Sequence, residues 1–341
     1  MTGVQTCALP ICPQGTSTTA GASLLLPVRN ESRNIDAIVP QLLAQIGLQR
    51  FEVIVLNDHS TDETAEKLSK YSIKTVAGKA LTPGWLGKNF ACFQLSELAN
   101  EEYLVFIDAD VRLSENAVTA TIAEMNRLQW DFASPYPKQR AHSLLEVLIQ
   151  PLLQWSWFAT VPLRLAEFLK VPSMAVANGQ FLIIRKSAYR AIGGHESIKG
   201  DVIDDIAIAR ELLRAGFRGG VMEGSAVAEC RMYETGSDLI LGYRKSLWRA
   251  FGSPLGSFFA ILILSCSAIA PWWFALHGSL IGWIGVIAGV LSRFIVAWRT
   301  ASRWESSLVH PVSIFLLILL ILWSWIGKLT GTLTWRDRTI P

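Results

Sequence analysis

Two aspartates, Asp108 and Asp110, follow directly on the apolar run LVFI at 104–107, with only Ala109 between them. Side chains alternate along an extended chain, so these two carboxylates point to the same side. Neighbouring carboxylates repel each other unless a cation lies between or beside them. Their hard oxygen atoms suit Mg²⁺ or Mn²⁺, which keep bound water and share phosphate oxygens with a substrate. The D-A-D sequence therefore predicts a metal site for a phosphate-bearing ligand.

A second pair of acids, Asp204 and Asp205, lies in the segment DVIDDIAIAR at 201–210. Acids are favourable in the first turn of a helix because they interact with the positive end of its dipole. This structural explanation is compatible with a functional one, since a helix start also holds a carboxylate rigidly. The sequence therefore predicts two fixed carboxylates at the beginning of a helix.

The residues around these acids, from Ala22 to about Arg249, alternate polar and apolar segments as a soluble α/β protein does. Four apolar runs predict buried strands: ASLLLPV, FEVIVLND, IKTVAG and EEYLVFIDAD. Because these runs are uninterrupted and separated by helical segments, they indicate a parallel sheet covered on both faces. The predicted fold class is therefore α/β.

Ligands of such a sheet bind beyond the carboxyl ends of its strands. Polar side chains occur at three of these ends: Asn30 and Glu31 after the first run, Asn57 and Asp58 after the second, Asp108 and Asp110 after the fourth. We therefore expect the binding site at this edge of the sheet.

Six short motifs follow one another between about Ser23 and Trp248: PVRNE, NDHSTD, GWLGKNFA, DAD, NGQFLIIR and VIDDIAIAR. Together they resemble the family 2 glycosyltransferases, and especially the membrane-bound branch that glycosylates carotenoids, hopanoids and related lipids. The resemblance implies a GT-A fold, which is a nucleotide-binding α/β sheet. It also implies transfer of a sugar from a nucleotide-diphospho-sugar, with a UDP-sugar as the expected donor.

The resemblance assigns donor-binding roles to five residues of this chain. Glu31 lies in the segment that cradles uracil and ribose, and Asp58 matches the acid that binds the base. Lys88 resembles the lysine near the ribose and the diphosphate. Asp108 and Asp110 match the metal motif for Mg²⁺ or Mn²⁺, with Asp110 as the more direct ligand and Asp108 nearer the ribose.

The resemblance also implies the groups around the transferred sugar. Asp205 takes the place of the catalytic base, and Asp204 stands where the family usually has Glu. Asn178 and Gln180 resemble the motif under the sugar and the acceptor, with a buried structural amide pair as the alternative. Asn57 departs from the family, which often has an acid there.

Three cations and a histidine each have two possible assignments from sequence. Arg231 is a candidate for binding the leaving diphosphate, where a cation offsets developing charge. The pair Arg244 and Lys245 is a second candidate, and facing lipid headgroups is the alternative. His195, in GGHES, either contacts the acceptor or a phosphate or packs within its loop.

The implied reaction is a single displacement that inverts the anomeric carbon, with general-base catalysis and a metal-bound diphosphate. Two other functions stay open. A processive polysaccharide synthase usually carries Q-x-x-R-W after the base, whereas LGYRKSLW stands there in this chain. The other is a membrane-anchored sugar-nucleotide-binding protein with a degenerate transferase domain.

Three apolar stretches in the last quarter of the chain, at 254–276, 279–298 and 311–327, are long enough to be transmembrane helices. Arg293 in the second stretch is expected to face a cavity or another helix. Arg244, Lys245 and Arg249 before the first stretch predict a catalytic domain on the cytoplasmic side of the cell (inner) membrane. On three full crossings, Lys328, Arg336 and Arg338 would fall on the opposite side, against the positive-inside rule. Either the third stretch is then not a full crossing, or the catalytic domain decides the orientation.

A further apolar segment at 143–165 predicts an interfacial helix, broken near Pro151 and Pro162. It cannot cross the bilayer once, because the motifs on both sides of it must reach one substrate. We expect Trp155 and Trp157 at headgroup depth, where they would help to bring a lipid acceptor to the site.

Composition excludes several other classes of protein. A net charge of +3 gives no support for a nucleic-acid partner. Five cysteines without a CxxC pair argue against a disulfide framework and a zinc site. The expected organisation is a disordered or artefactual tail at 1–20, a GT-A domain at 21–250, and a membrane domain at 251–341.

Overall fold

The computed structural model describes residues 11, 17–160, 171–335 and 338–339. The chain divides into two units. The sheet unit comprises Met1–Lys138 and Pro162–Cys230, and the helical unit comprises Gln139–Val161 and Arg231–Pro341. The predicted boundary between the two domains, after residue 250, stays a prediction.

The strands of the chain are β1 Thr18–Val28, β2 Leu48–Asn57, β3 Lys74–Ala77, β4 Tyr103–Ile107, β5 Val111–Leu113, β6 Phe132–Tyr136, β7 Lys138–Gln139, β8 Phe181–Arg185, β9 Gly219–Glu223, β10 Ala228–Cys230, β11 Thr334–Trp335 and β12 Arg338–Thr339. The first seven α-helices are α1 Ser32–Leu43, α2 Thr64–Leu68, α3 Gly87–Leu98, α4 Ala117–Leu128, α5 Leu144–Thr160, α6 Lys186–Ala191 and α7 Asp204–Arg214. Helix α5 belongs to the helical unit and the other six belong to the sheet unit. The remaining helices are α8 Gly236–Ala250, α9 Pro254–Leu264, α10 Ala270–Leu276, α11 Leu280–Arg299 and α12 His310–Leu329.

The central sheet of the sheet unit has the strand order β3-β2-β1-β4-β8-β6-β9. Its strands form because their apolar side chains are removed from water on both faces, and every residue of β4 is buried. Helix α1 shows the matching helical spacing, with Ile35, Ile38, Val39 and Leu42 all buried. The α/β class predicted from sequence is confirmed.

The four strands predicted from sequence, β1 to β4, pair in parallel as expected. One further strand of this sheet runs against the others, so the complete sheet is mixed. Strand β8 pairs antiparallel with both β4 and β6. It enters the sheet at the edge where β4 ends, and Phe181 pairs with Ile107. The start of β8 therefore lies beside the end of β4.

The sheet begins earlier than the sequence indicated. Strand β1 starts at Thr18, so residues 18–20 belong to the sheet rather than to the expected tail. Ile11 is buried, and its backbone N–H donates to the carbonyl oxygen of Glu223 at 3.2 Å. These positions correct the expected limit of the tail at residue 20.

Helix α5 covers most of the segment expected at the membrane interface. The helix continues through Pro151, so the expected break there is absent, whereas Pro162 lies outside the described residues. Trp155 and Trp157 are only 8% and 7% exposed, and Trp155 Nε1 donates to Ser292 Oγ of α11 at 2.9 Å. The exposed apolar side chains of α5 include Leu153, and an interfacial position stays a prediction.

Three helical stretches of the helical unit are long and apolar enough to cross a membrane: Pro254–Leu276, Leu280–Arg299 and His310–Leu329. They agree closely with the stretches expected from sequence. The first is continuous through a π-helical turn at Ser265–Ile269. Many of their large apolar side chains are exposed, as lipid-facing residues are.

The start of α9 lies beside the end of α12 within the helical unit. Trp325 Nε1 donates to Ser257 Oγ at 2.8 Å, and the ammonium of Lys328 lies 4.5 Å from the centre of the Trp248 ring. Arg244 Nη2 donates to Thr332 Oγ1 at 2.7 Å. Lys328 therefore lies at the same end of the helices as Arg244, and the side of a membrane that this end faces stays a prediction.

Candidate active site

The end of β4 and the start of β8 bring two of the predicted motifs together. The backbone N–H of Asp108 donates to the carbonyl oxygen of Gln180 at 3.0 Å. This contact depends on the antiparallel direction of β8, because only then does its first residue adjoin the last residue of β4. The D-A-D and N-G-Q motifs therefore share one edge of the sheet.

Lys88 joins these motifs to the acid pair of α7. Its Nζ atom lies 2.8 Å from Asp108 Oδ1 and 3.6 Å from Asp204 Oδ2. Burial by itself would lower the pKa of Lys88, but the charges of Asp108 and Asp204 outweigh it and raise the pKa well above its usual value. Lys88 therefore stays protonated at a point where three motifs meet.

Asp205 lies in the first turn of α7 and is held by two backbone N–H groups. Gly179 N donates to Oδ2 at 2.8 Å, and Ile206 N donates to Oδ1 at 2.7 Å. Burial, followed by the charge of Asp204, raises the pKa of Asp205 to about 6. A rigid carboxylate with a pKa near neutrality has the properties that a general base needs.

Gly179 is the residue that allows this close approach. A Cβ atom at this position would lie 3.3 Å from Lys88 Nζ and 3.4 Å from Asp205 Cβ. Any side chain beyond Cβ would therefore enter the space between the lysine and the base. This explains why the small residue stands between Asn178 and Gln180.

Asn178 and Gln180 are 6% and 3% exposed. The side-chain oxygen of Asn178 accepts a hydrogen bond from Gln180 N at 2.8 Å, while Ser134 Oγ accepts from Asn178 N at 2.7 Å. At least the Asn178 side chain therefore shapes the loop before β8. A role of the two amides under the sugar stays a prediction.

Asp110 carries the observation most relevant to a metal. Its Oδ1 atom is buried and has no hydrogen-bond partner among the described residues. Burial, then the charges of Asp108 and Glu31, raises the pKa of Asp110 to about 7. A divalent cation would satisfy the buried oxygen and relieve this repulsion, so the residues present fit the metal expected from sequence.

The protein would supply only part of such a metal's coordination shell. No group of three or more His, Cys, Asp or Glu side chains suited to a metal occurs within the described residues. Two carboxylates are nevertheless enough for Mg²⁺ or Mn²⁺ when water and substrate phosphates provide the other oxygens.

The loops after β1 and β2 lie against each other and carry Glu31 and Asp58. Asn30 N donates to Ser60 Oγ at 3.0 Å, and Asn30 Oδ1 accepts from Thr61 N at 2.8 Å. Asn30 has a positive φ of 54°, a conformation that asparagine tolerates better than most residues. The two loops therefore form one surface, which fits the predicted role in binding the nucleotide.

Asp62 and Thr64 also fix this surface, although neither was predicted to do so from sequence. Asp62 Oδ2 accepts from Ser32 N at 3.1 Å, and Thr64 Oγ1 accepts from Glu31 N at 2.9 Å. Burial opposes ionisation of Asp62, but its hydrogen bonds outweigh this and lower its pKa to about 2. Both residues belong to the sequence T-D-E-T that follows β2. Asp and Thr side chains in such loops often accept hydrogen bonds from nearby backbone N–H groups, so this sequence could have identified them.

His195 belongs to the core, so only the loop-packing alternative holds. The side chain is 2% exposed, and Nδ1 lies 2.8 Å from Tyr189 Oη. Its ring packs edge-on against Phe106. Burial lowers the pKa of His195 to about 4, so it is neutral at physiological pH.

Arg231 lies in the helical unit, where its guanidinium forms an ion pair with Glu234 at 2.9 Å. Its expected role at the diphosphate stays a prediction. Arg244 also has a local environment, because its guanidinium lies 5.3 Å from the centre of the Trp323 ring.

Asn89 is a residue that the sequence did not single out as functional. It is 2% exposed, and its Nδ2 atom lies within hydrogen-bonding distance of the carbonyl oxygens of Ile198, Lys199 and Asp201 at 2.9, 3.3 and 3.1 Å. These carbonyls belong to the loop that leads into Asp204 and Asp205. Asn89, which is adjacent to Lys88 in the chain, therefore holds the loop that positions Asp204 and Asp205.

We expect Asn89→Ala to lower turnover about tenfold to a hundredfold, because a small displacement of a catalytic group has a cost of this order. Donor affinity should change much less, since the Asn89 side chain is only 2% exposed and its amide is engaged by backbone carbonyls. The measurement is kcat together with the donor Kd. Asn100→Ala is the matched control, because Asn100 is exposed and bonds to Glu52 instead. An equal loss in both variants would contradict the positioning role.

The fold and the acidic sheet edge define a GT-A glycosyltransferase domain followed by apolar helices. The profile of Glycosyl transferase family 2 matches residues 23–193, and the chain belongs to this family. It is therefore an enzyme of the transferase class. The family resemblance found in the sequence is confirmed.

Two curated relatives carry the same name. The chain is 28% identical over 242 residues to a 4,4'-diaponeurosporenoate glycosyltransferase of Staphylococcus haemolyticus, an alignment covering 67% of this chain and 62% of that protein. It is 25% identical over 349 residues to a 4,4'-diaponeurosporenoate glycosyltransferase of Staphylococcus aureus, covering 93% and 87%. These relatives are named for transfer to a carotenoid-type lipid.

A solved structure extends the likeness of fold. It is a mannosyltransferase from Pyrobaculum calidifontis in complex with GDP-Man and Mn²⁺, with a TM-score of 0.55 and 14% sequence identity. The match covers 98% of this chain and 92% of that one. At this level of identity the match shows that the fold is shared.

Proposed function

We propose that this enzyme transfers one sugar from a nucleotide-diphospho-sugar to a membrane lipid, with inversion at the anomeric carbon. The observation that carries the proposal is the state of Asp205. Its carboxylate is buried, fixed by two backbone N–H groups, and has a pKa of about 6. It lies beside the lysine and aspartates suited to a diphosphate.

The donor would be bound along the edge formed by the ends of β1, β2 and β4. Glu31 and Asp58 would contact the base and ribose, and Lys88 would hold a diphosphate oxygen. Asp108 and Asp110 would hold Mg²⁺ or Mn²⁺, which when bound neutralises charge on the leaving diphosphate. The solved mannosyltransferase complex likewise contains Mn²⁺ together with its nucleotide sugar.

The chemical step requires one base and no enzyme nucleophile. Asp205 would accept the proton of an acceptor hydroxyl as its oxygen attacks the anomeric carbon, and the opposite bond to the diphosphate would break. Lys88, whose pKa is raised, would remain protonated and hydrogen-bond to the departing oxygen. One displacement inverts the configuration at carbon, so we propose an inverting reaction.

The acceptor is proposed to be an amphiphile such as a carotenoid, a hopanoid or a related lipid. The names of the relatives support the carotenoid class, and the three apolar helices support a location in the membrane. The ending of the name diaponeurosporenoate denotes a carboxylate, so the attacking group is either a carboxylate or the hydroxyl expected from sequence. A hydroxyl acceptor must lose a proton and needs a base, whereas a carboxylate acceptor is already ionised at neutral pH and does not.

The catalytic domain is proposed to lie on the cytoplasmic side of the inner membrane. Arg244 and Lys328 lie at one end of the helices, where Lys245 and Arg249 also occur in the chain. Arg299 and Arg303 precede the start of α12, at the other end of that helix. The end with Arg244, Lys245, Arg249 and Lys328 carries more cations, and the positive-inside rule therefore favours it as the cytoplasmic end. A multi-pass arrangement is supported by three helices of sufficient length.

The proposed function is tested with the full chain in liposomes, a panel of nucleotide sugars and a lipid extract, followed by mass spectrometry. We expect one lipid class to gain the mass of a single hexose with one preferred donor. A ladder of added sugars would instead favour a polysaccharide synthase. Donor binding without any product would favour a degenerate binding protein.

A role of α5 at the membrane leads to a separate prediction. Leu153 is 42% exposed on this helix, so Leu153→Glu should weaken lipid glycosylation about tenfold while sparing slow hydrolysis of the donor. Leu43→Glu is the matched control, since Leu43 is 43% exposed on α1 of the sheet unit. The two activities are measured in the same liposomes. An equal effect of both variants would contradict a membrane contact of α5.

A further inference from the structure

Arg293 lies within the membrane-length helix α11, yet its side chain is only 2% exposed. Nη2 donates to Ser306 Oγ at 2.9 Å, and Nη1 lies 3.5 Å from His310 Nδ1. Neither a hydroxyl nor an imidazole carries a negative charge. Among the described parts of the chain, no Asp or Glu forms an ion pair with this guanidinium.

A buried cation without a counter-charge is unfavourable, and buried charges in proteins are ordinarily paired. Charged side chains in membrane segments face the interior of a helix bundle, and they mark functional sites by default. A guanidinium has five N–H donors, of which the two observed contacts engage two. The buried guanidinium of Arg293 therefore has N–H groups left to donate hydrogen bonds and a positive charge without a counter-ion.

Other unsatisfied donors occur in the same turn and helix start. The hydroxyl groups of Ser307 and Ser313 are buried and have no hydrogen-bond partner among the described residues. Ser307 follows Ser306 directly, and Ser313 lies one turn after His310 in α12. The Trp155 ring packs edge-on against His310 with 4.8 Å between the ring centres. This part of the helical unit is therefore rich in donors and lacks an acceptor of matching charge within the described residues.

We infer that Arg293 is the anion-recognition residue of a binding site for an amphiphile that carries a carboxylate or phosphate group. An oxyanion would accept hydrogen bonds from the planar guanidinium in two parallel contacts, a geometry that suits both groups. An amphiphile is favoured over a small ion because Arg293 is buried within a helix that is long and apolar enough to cross a membrane, so a ligand would reach it from apolar surroundings. Binding at this site would not require glycosyl transfer.

The test uses the full chain in a neutral detergent and three ligands with one tail: oleate, oleyl phosphate and oleyl alcohol. We expect at least one anionic ligand to bind about tenfold or more tightly than the alcohol, since hydrogen bonds to charged groups differ by this order. The tighter of the two anions identifies the carboxylate or the phosphate as the natural group. Equal binding of all three ligands would overturn the inference.

The variant Arg293→Gln should lose this preference for anions. Arg303→Gln is the matched control, because Arg303 is half-exposed and already paired with Glu305 at 2.9 Å. Retention of the full preference in Arg293→Gln would equally overturn the inference.

A change in stability separates a binding residue from a structural one. Removing an unpaired buried charge tends to stabilise a protein, so Arg293→Met should melt no lower than the wild type without ligand. It should lose the rise in melting temperature that anionic ligands produce in the wild type. If Arg293→Met does not fold, the comparison of ligands on the wild type still decides the outcome.

Discussion

Asp205→Asn should lower transfer to a hydroxyl acceptor by about 10²-fold or more, the usual contribution of a general base. Its amide cannot take up the proton that the attacking hydroxyl loses. Donor binding should change little, because the carboxylate of Asp205 bonds to Gly179 N and Ile206 N. The measurements are kcat with a lipid acceptor and the donor Kd by calorimetry.

The pH dependence of the wild type provides a second observation on Asp205. Its pKa is raised to about 6, so the carboxyl becomes protonated as the pH falls through that value. A protonated base cannot accept a proton, and kcat should therefore fall on the acid side with a midpoint near the same pKa of about 6. The residual kcat of Asp205→Asn should not show this fall on the acid side of the pH profile.

Glu211→Gln is the matched control, because Glu211 lies on the same helix and pairs with Arg214 at the surface. Its kcat should equal that of the wild type. A collapse of donor binding in Asp205→Asn would show that this residue is structural or contacts the donor. If the acceptor is a carboxylate, which has no proton to lose at neutral pH, Asp205→Asn should lower transfer far less.

Asp110→Asn should abolish transfer and weaken metal-dependent donor binding by about 100-fold or more, since supporting metal contacts alone are worth about 10- to 100-fold. The reason is the buried Oδ1 atom, which has no hydrogen-bond partner among the described residues and lies in the field of Asp108 and Glu31. An amide in its place supplies a neutral oxygen and removes the charge that attracts the ion. Calorimetry of the donor with and without Mn²⁺ measures the effect.

Chelation tests the same site without a mutation. Excess EDTA should reduce the wild type to the level of Asp110→Asn, and added Mg²⁺ or Mn²⁺ should restore only the wild type. Asp36→Asn is the control, because Asp36 lies on α1 and pairs with Lys67 at the surface. Full activity in EDTA would show that Asp108 and Asp110 act without a metal.

Sequence alone was sufficient for the features that depend on neighbours in the chain. The buried run before Asp108 predicts a strand that ends at the acid pair, and β4 does end at Ile107. The charge of Asp108 acts on Asp110, as their proximity in the sequence leads one to expect. The lengths of the apolar stretches determine three membrane-length helices in the same way. Both properties follow from local periodicity and length, and the motif order was enough to predict the family.

The tertiary structure decided which of these elements meet. The apolar residues of β8 are buried whichever way the strand runs, so the sequence carries no sign of its direction. Its antiparallel pairing with β4 places Gly179 between Lys88 and Asp205. His195 was equally undecided, because its burial against Phe106 and Tyr189 depends on long-range packing. Contacts between residues far apart in the chain determine the site, whereas periodicity reports only on adjacent ones.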